Sequence, residues 1–191
     1  HRDLSAQLTA LLVEKKKAIP DIAIDFITDP INTVYGGSES EEIEKLGQAG
    51  VNVIITRLDD LRDSNFIYSS WWRTFVQWFG NSDHGGWLPH PFSRDKKKVT
   101  LRSYLRLLNF KANHRKVVVV DAGDDMATMV GSANPHGGSS SHSNVALVVL
   151  CPIWKSVYQT EAAVAEMSPV VPYATSTSIS KSTGAPGEIV P

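Results

Sequence analysis

The residues best suited to chemistry lie in one short segment, where a histidine and a lysine are separated by a single residue. His114 and Lys116 are followed by four consecutive valines and then by Asp121. Residues two apart on a β-strand point to the same face, and a run of valines is typical of a strand anchored in a core. The imidazole and the ammonium are therefore predicted to share one rigidly held face.

A second group of polar residues follows the next apolar run. Gly131 and Ser132 lead to Asn134, and the serine and the asparagine are again two apart. If the two runs pair as a hairpin, the imidazole, ammonium, hydroxyl and amide converge on one spot. These groups suit a phosphodiester: an imidazole can attack phosphorus while a cation and hydrogen-bond donors hold the non-bridging oxygens.

The combined pattern resembles the phospholipase D superfamily, whose signature is His-x-Lys-x4-Asp followed by Gly-Ser-x-Asn, and within it the bacterial phospholipase-like and cardiolipin-synthase-like members. The matching residues are His114, Lys116, Asp121, Gly131, Ser132 and Asn134. The resemblance implies that His114 is the catalytic nucleophile, and that Lys116 and Asn134 bind the phosphate. Asp121 would support and orient the site from a distance.

The chain departs from the family pattern at two points. Nine residues separate Asp121 from Gly131, which predicts a longer hairpin connection than is usual in the family. Ala146 stands where many members carry glutamate, and this difference would alter how the histidine is held.

Charge is unevenly distributed. The whole chain has a formal net charge of −1, but residues 94–116 hold nine Lys or Arg and one acid, a net charge of +8. Concentrated positive charge beside the motif favours an anionic ligand. Lys111 and Arg115 are therefore predicted to bind substrate, together with Ser132 of the second motif.

The first part of the chain has the pattern of a βαβ unit. A helix is predicted over residues 4–13, a strand over 22–27, a short acidic helix over 40–48 and a β-branched strand over 51–56. Two strands joined by a helix pair in parallel.

Later elements complete an α/β lobe. Residues 116–121 and 127–130 predict a hairpin, residues 144–151 a third strand, and residues 154–167 an amphipathic helix, whereas residues 101–110 fit a helix or a strand. The fold class expected is a phospholipase D-like lobe, with a mixed and mostly parallel sheet flanked by helices.

Aromatic residues are concentrated in residues 66–79. They fall at helical spacing and would share one face: Trp71, Trp72, Phe75, Trp78 and Phe79. A core-facing stripe is the favoured interpretation. The alternatives are a surface that contacts lipid or one that a partner domain covers.

Residues 1–167 are predicted to form the catalytic lobe, and residues 168–191 a linker or tail, because 14 of those 24 residues are Ser, Thr, Pro or Gly. Enzymes of the superfamily use two motif copies, whereas this sequence holds a single His-x-Lys. The start at His1 without a methionine favours the N-terminal half of a two-motif enzyme.

Three functional hypotheses remain open. The favoured one is a phosphodiesterase or phosphatidyl transferase that acts on phospholipids through a phosphohistidine, with this chain as one half of the active site. The second is a single-motif endonuclease completed by a homodimer mate. The third is a phosphate- or lipid-binding lobe without activity. Phospholipid is favoured over nucleic acid as substrate, and contact with a membrane surface is expected.

No cofactor or metal is predicted. His84, His90, His136 and His142 lie in loops without carboxylates at metal-binding spacing, and one cysteine, Cys151, provides no thiolate zinc site.

Phosphodiester cleavage should accordingly be independent of metal, because Lys116 and Asn134 would supply the contacts to the oxyanion that metals provide elsewhere. Activity measured in excess chelator should equal activity without it. Complete loss that a divalent cation restores would contradict this prediction.

Overall fold

The computed structural model describes residues 4–38, 40–78, 85–92, 98–122, 125–135, 142–168 and 170–171. The helices are α1 (Leu4–Ala18), α2 (Glu41–Gln48), α3 (Phe66–Trp71), α4 (Leu101–Leu107) and α5 (Trp154–Glu166). The strands are β1 (Asp25–Thr28), β2 (Asn52–Ile55), β3 (Val117–Ala122), β4 (Asp125–Gly131) and β5 (Ala146–Leu150). The chain is therefore a mixed α/β protein, as predicted.

The first half contains the predicted βαβ unit. β1 and β2 pair in parallel, with Thr28 opposite Ile55, and α2 connects them. The hydrophobic core of this unit consists of buried Ile43, Leu46, Val51 and Val53, against which α1 packs Leu12 and Val13. Burial of these side chains holds the carboxyl ends of the two parallel strands side by side.

The second half is an antiparallel sheet of three strands in the order β3-β4-β5. The predicted hairpin and third strand are confirmed. A single sheet of mostly parallel strands is not formed by the described residues, which build a parallel pair and a separate antiparallel sheet. Only two residues separate β3 from β4, and a connection that short can join only antiparallel neighbours.

α5 covers one face of the antiparallel sheet. Arg115 Nη1 donates to Glu161 Oε1 of this helix at 3.0 Å, and Thr128 on β4 is buried. The opposite face, which we call the open face, carries exposed apolar side chains. It consists of Val118, Val120, Met129, Val148 and Leu150.

The prediction of a core-facing aromatic stripe is wrong for most of its members. Trp72 is buried at 7% exposure, whereas Trp71, Phe75 and Trp78 are 41%, 60% and 74% exposed. Phe79 lies outside the described residues. The inward side of this helix is instead taken by smaller and polar groups, among them buried Ser69.

Residues 101–110, which the sequence left undecided, form a helix over Leu101–Leu107. Thr100 decides the outcome locally, because its Oγ1 accepts a hydrogen bond from Ser103 N at 3.2 Å and so caps the helix. None of the helices in the described ranges is both long and apolar enough to cross a bilayer.

The folded part of the chain extends past residue 167. Buried Ser168 accepts a hydrogen bond from Arg57 N at 3.1 Å, and Val171 N donates to Val53 O at 3.0 Å. The chain that follows α5 is thus paired with β2, which ties the last helix to the βαβ unit. Residues 172–191, most of the predicted tail, lie outside the described residues.

The buried Thr128 hydroxyl has no hydrogen-bond partner among the residues that the structure describes. Thr128→Val removes this unpaired group at nearly constant shape, so the free energy of unfolding should rise by about 1 kcal/mol. Urea denaturation would measure the change.

Thr33→Val is the matched control, because the Thr33 hydroxyl donates to Pro30 O and accepts from Gly36 N. This variant should lower the free energy of unfolding by about 1–2 kcal/mol. Destabilisation by both variants to the same extent would contradict the assignment of Thr128.

Candidate functional site

The candidate site begins at the carboxyl ends of the two parallel strands. Asp29 directly follows β1, is buried, and accepts hydrogen bonds from Ile31 N at 2.8 Å and, through its other oxygen, from Asn113 N. Thr56 directly follows β2, and its hydroxyl accepts from Asn113 Nδ2 at 3.1 Å. Asn113 is therefore held by both strands, and His114 is the next residue.

A turn after β1 holds the same segment from a second side. The Tyr35 hydroxyl donates to Lys111 O at 3.4 Å. Val34 and Tyr35 adopt left-handed backbone angles (φ 48° and 55°), as does Phe110 (φ 53°), just before Lys111. Left-handed backbone is unfavourable for side chains other than glycine, and such strain is typical of functional sites.

The Asp29 carboxylate interacts electrostatically with its surroundings. Burial raises the pKa of Asp29 above its ordinary value of 3.8, while hydrogen bonds from Ile31 and Asn113 and the positive charge of His114 act in the opposite direction. Burial, reinforced by the charge of Asp29, raises the pKa of Tyr35 to about 12. The charge of His114 thus favours the ionised form of Asp29.

His114 and Lys116 lie where the site meets solvent, with His114 exposed and Lys116 partly buried. The His114 side chain is exposed, and Lys116 Nζ donates to the backbone oxygen of His114 at 2.9 Å. Burial lowers the pKa of Lys116 below its ordinary value of 10.5. An exposed imidazole with an ammonium beside it can meet an anion from solution.

The hairpin brings the two sequence motifs together in part. Gly131 N donates to Lys116 O at 2.9 Å, so the Gly-Ser-x-Asn motif starts opposite the lysine. Asn134, which is partly buried, follows three residues later.

Ser132 does not converge with Lys116 as predicted. The antiparallel register places Gly131 opposite Lys116, and neighbouring residues on a strand point to opposite faces. The Ser132 hydroxyl instead accepts from Val145 N at 3.0 Å and donates to Asn144 Oδ1 at 3.3 Å. These bonds join the ends of β4 and β5, which is a structural use of the side chain.

The two basic residues predicted to bind substrate are engaged in ion pairs. Arg115 is paired with Glu161, and it points to the face that α5 covers. Lys111 is buried, and its ammonium donates to Asp59 O at 3.2 Å and to Asp63 Oδ1 at 3.1 Å. Both cations are therefore engaged by carboxylates within the fold, Lys111 in the interior and Arg115 at the surface.

Lys111 shares its carboxylate with Arg73, whose Nη2 lies 2.8 Å from Asp63 Oδ2. Hydrogen bonds from Arg73 and from Lys111 hold the pKa of Asp63 well below its usual range. The single carboxylate thus neutralises one of the two positive charges.

Asp121 lies at the far end of β3 from Lys116, and Ala146 lies on β5, two strands from Lys116. Asp121 is exposed at the turn end of β3, five residues or about 17 Å along the strand from Lys116. Ala146 pairs with Gly131 across the sheet. The carboxylate that interacts with His114 comes from Asp29 on the other sheet.

Within the described part of the chain, no group of three or more His, Cys, Asp or Glu is arranged to hold a metal ion.

The sequence pattern alone assigns Asp29 no functional role. The signal that could have identified it is its position after β1, because the carboxyl ends of parallel strands form a common edge where polar residues collect. Thr56 carries the same signal after β2.

Comparison of the chain with protein-family models, curated proteins and solved structures gives no match.

The charge interaction between Asp29 and His114 can be measured directly. In His114→Gln, the pKa of Asp29 should be higher than in the unmodified chain, because a positive charge that favours the carboxylate is lost. Carboxyl-labelled aspartate followed by NMR through an acid titration would report it. His142→Gln serves as control and should leave this titration unchanged; identical midpoints in all three proteins would contradict the arrangement.

Proposed function

We propose that this chain is a phospholipase D-like lobe that cleaves or transfers phosphodiesters of phospholipids through His114. The observation that carries the proposal is the His114–Lys116 pair: an exposed imidazole, an ammonium within 2.9 Å of its backbone oxygen, and a backbone tied to buried Asp29 through Asn113. A nucleophile held by such contacts is pre-positioned for attack.

In the proposed reaction, a ring nitrogen of His114 attacks phosphorus. A nitrogen–phosphorus bond forms, the bond from phosphorus to the leaving oxygen breaks, and a proton from a second histidine neutralises that oxygen. Water or an alcohol, deprotonated by the second histidine, then attacks the phosphohistidine and releases His114. Lys116 and Asn134 would stabilise the charge on the non-bridging oxygens.

The second histidine must come from another motif-bearing half or from a second copy of the chain. The open face supports this part of the proposal, because Val118 and Met129 form one exposed row with Val148, and Lys116 lies at the end of the same strand face. An apolar face beside a half-site is suited to packing against a second lobe.

A phospholipid substrate is favoured over nucleic acid by the charges that remain available. Arg115 and Lys111 are paired with carboxylates, so the basic window offers less free charge than its composition indicates. Binding to nucleic acid without sequence preference draws on broad and unpaired positive charge.

His114→Ala should reduce phosphodiester turnover by about a thousandfold or more in the assembled two-motif enzyme, because the nucleophile is absent. The thermal unfolding midpoint should change little, since the side chain is exposed. Release of choline from phosphatidylcholine vesicles, and acid-labile label trapped on the protein from labelled lipid, would measure the effect.

His90→Gln is the matched control, since His90 bonds locally to Phe92 N and lies in a different loop. Undiminished turnover in His114→Ala would remove the assignment. A stable homodimer that nicks plasmid DNA and leaves phospholipid intact would replace the proposed substrate with nucleic acid.

A further inference from the structure

The helix formed by α3 and the π-helical turn that follows it (Trp72–Val76) is already anchored on its inward side. The Ser69 hydroxyl donates to Asn109 Oδ1 at 2.6 Å, and the Tyr68 hydroxyl donates to Leu105 O at 2.7 Å. The Trp72 ring packs under α4 and is buried. The helix therefore needs no further contact on its other side to hold its place.

The outward side of this helix is apolar. We call it the aromatic face, and it consists of Phe66, Ile67, Trp71, Phe75 and Trp78. Ile67 is 81% exposed, the highest value among the large apolar side chains that the structure describes as exposed. Residues 67, 71, 75 and 78 follow one another at intervals of four, four and three, which places them in one stripe.

The surroundings of the aromatic face are positively charged. Residues 65–78 contain one charged residue, Arg73, and no acid. On α4, the Arg102 and Arg106 guanidinium groups lie 5.2 and 5.9 Å from the centre of the Trp72 ring. Arg102 also donates to Val76 O and Gln77 O, both at 3.4 Å.

The nearby carboxylates do not cancel this charge. Asp63 is shared between Arg73 and Lys111, and Asp59 adds a second negative charge that acts on Arg73, so these four groups balance. Arg102 and Arg106 leave an excess of two positive charges. An apolar stripe with two excess positive charges on the neighbouring helix is complementary to an anionic apolar interface.

We propose that the aromatic face docks this chain on the surface of an anionic phospholipid bilayer. Tryptophan favours the headgroup zone, and Phe75 and Ile67 would reach the acyl boundary. Arg102 and Arg106 would lie at the level of the lipid phosphates. This partner deepens the proposed function, because docking would bring a lipid-cleaving site to its substrate, and it can be tested without any turnover.

The test compares the unmodified chain with Phe75→Ala/Trp78→Ala for binding to sucrose-loaded vesicles by co-sedimentation. The vesicles are phosphatidylcholine with and without phosphatidylserine. The unmodified chain should bind the phosphatidylserine vesicles more tightly, and the double variant should lose about tenfold or more of that affinity. Raised salt should weaken binding, because it screens the arginines.

Tyr158→Ala on α5 is the matched control, since it removes an exposed aromatic ring outside the aromatic face. It should bind vesicles as the unmodified chain does. Unfolding midpoints of all three proteins should agree, because the substituted side chains are exposed. The proposal would be overturned if the double variant bound vesicles as tightly as the unmodified chain. It would also be overturned if the double substitution abolished self-association of the chain and left vesicle binding unchanged.

The outcome is separable from that of the proposed function. Tight vesicle binding together with absent phosphodiester cleavage would leave the docking face in place and remove the enzymatic assignment. If the double variant still cleaves a soluble phosphodiester and binds vesicles as tightly as the unmodified chain, the enzymatic assignment stands and the docking proposal is removed.

Discussion

The hydrogen bond from Asn113 N to the Asp29 carboxylate is the interaction on which the arrangement of the site depends. It joins residues 84 positions apart in the chain and connects the parallel pair to the strand that follows His114. A buried carboxylate is costly unless hydrogen bonds satisfy it. Asp29 meets this requirement with two backbone donors, and so holds the chain at the point where the histidine leaves the core.

The contacts around this bond explain why much of the basic segment is structural. The Lys111 ammonium donates to Asp63, and its backbone oxygen accepts from the Tyr35 hydroxyl. The Arg115 guanidinium donates to Glu161. Ion pairs and hydrogen bonds of this kind fix residues 110–116 from several directions. Part of the positive charge of this segment is thus balanced by carboxylates within the fold and is not available to a ligand.

Two apolar surfaces remain uncovered among the described residues, and their surroundings differ. The open face of the antiparallel sheet shares its strand face with Lys116 and consists of exposed aliphatic side chains and Met129. The aromatic face lies on a short helix with arginines nearby and no acid in its own sequence. These different surroundings are the basis for proposing a partner protein for the first surface and lipid for the second.

The sequence by itself determined the local elements and the pairing of the motifs. Valines after Lys116, the turn residues near position 124, and the alternation of helix and strand before Thr56 predicted the hairpin and the βαβ unit, because they act through local propensity and short connections. Tertiary structure alone decided three things: that Asp29 holds the backbone of Asn113, next to His114, that Ser132 turns away from Lys116, and that Trp71 and Phe75 face outward. Each depends on register or on contacts between distant segments, and helical spacing shows which residues share a face without showing what that face meets.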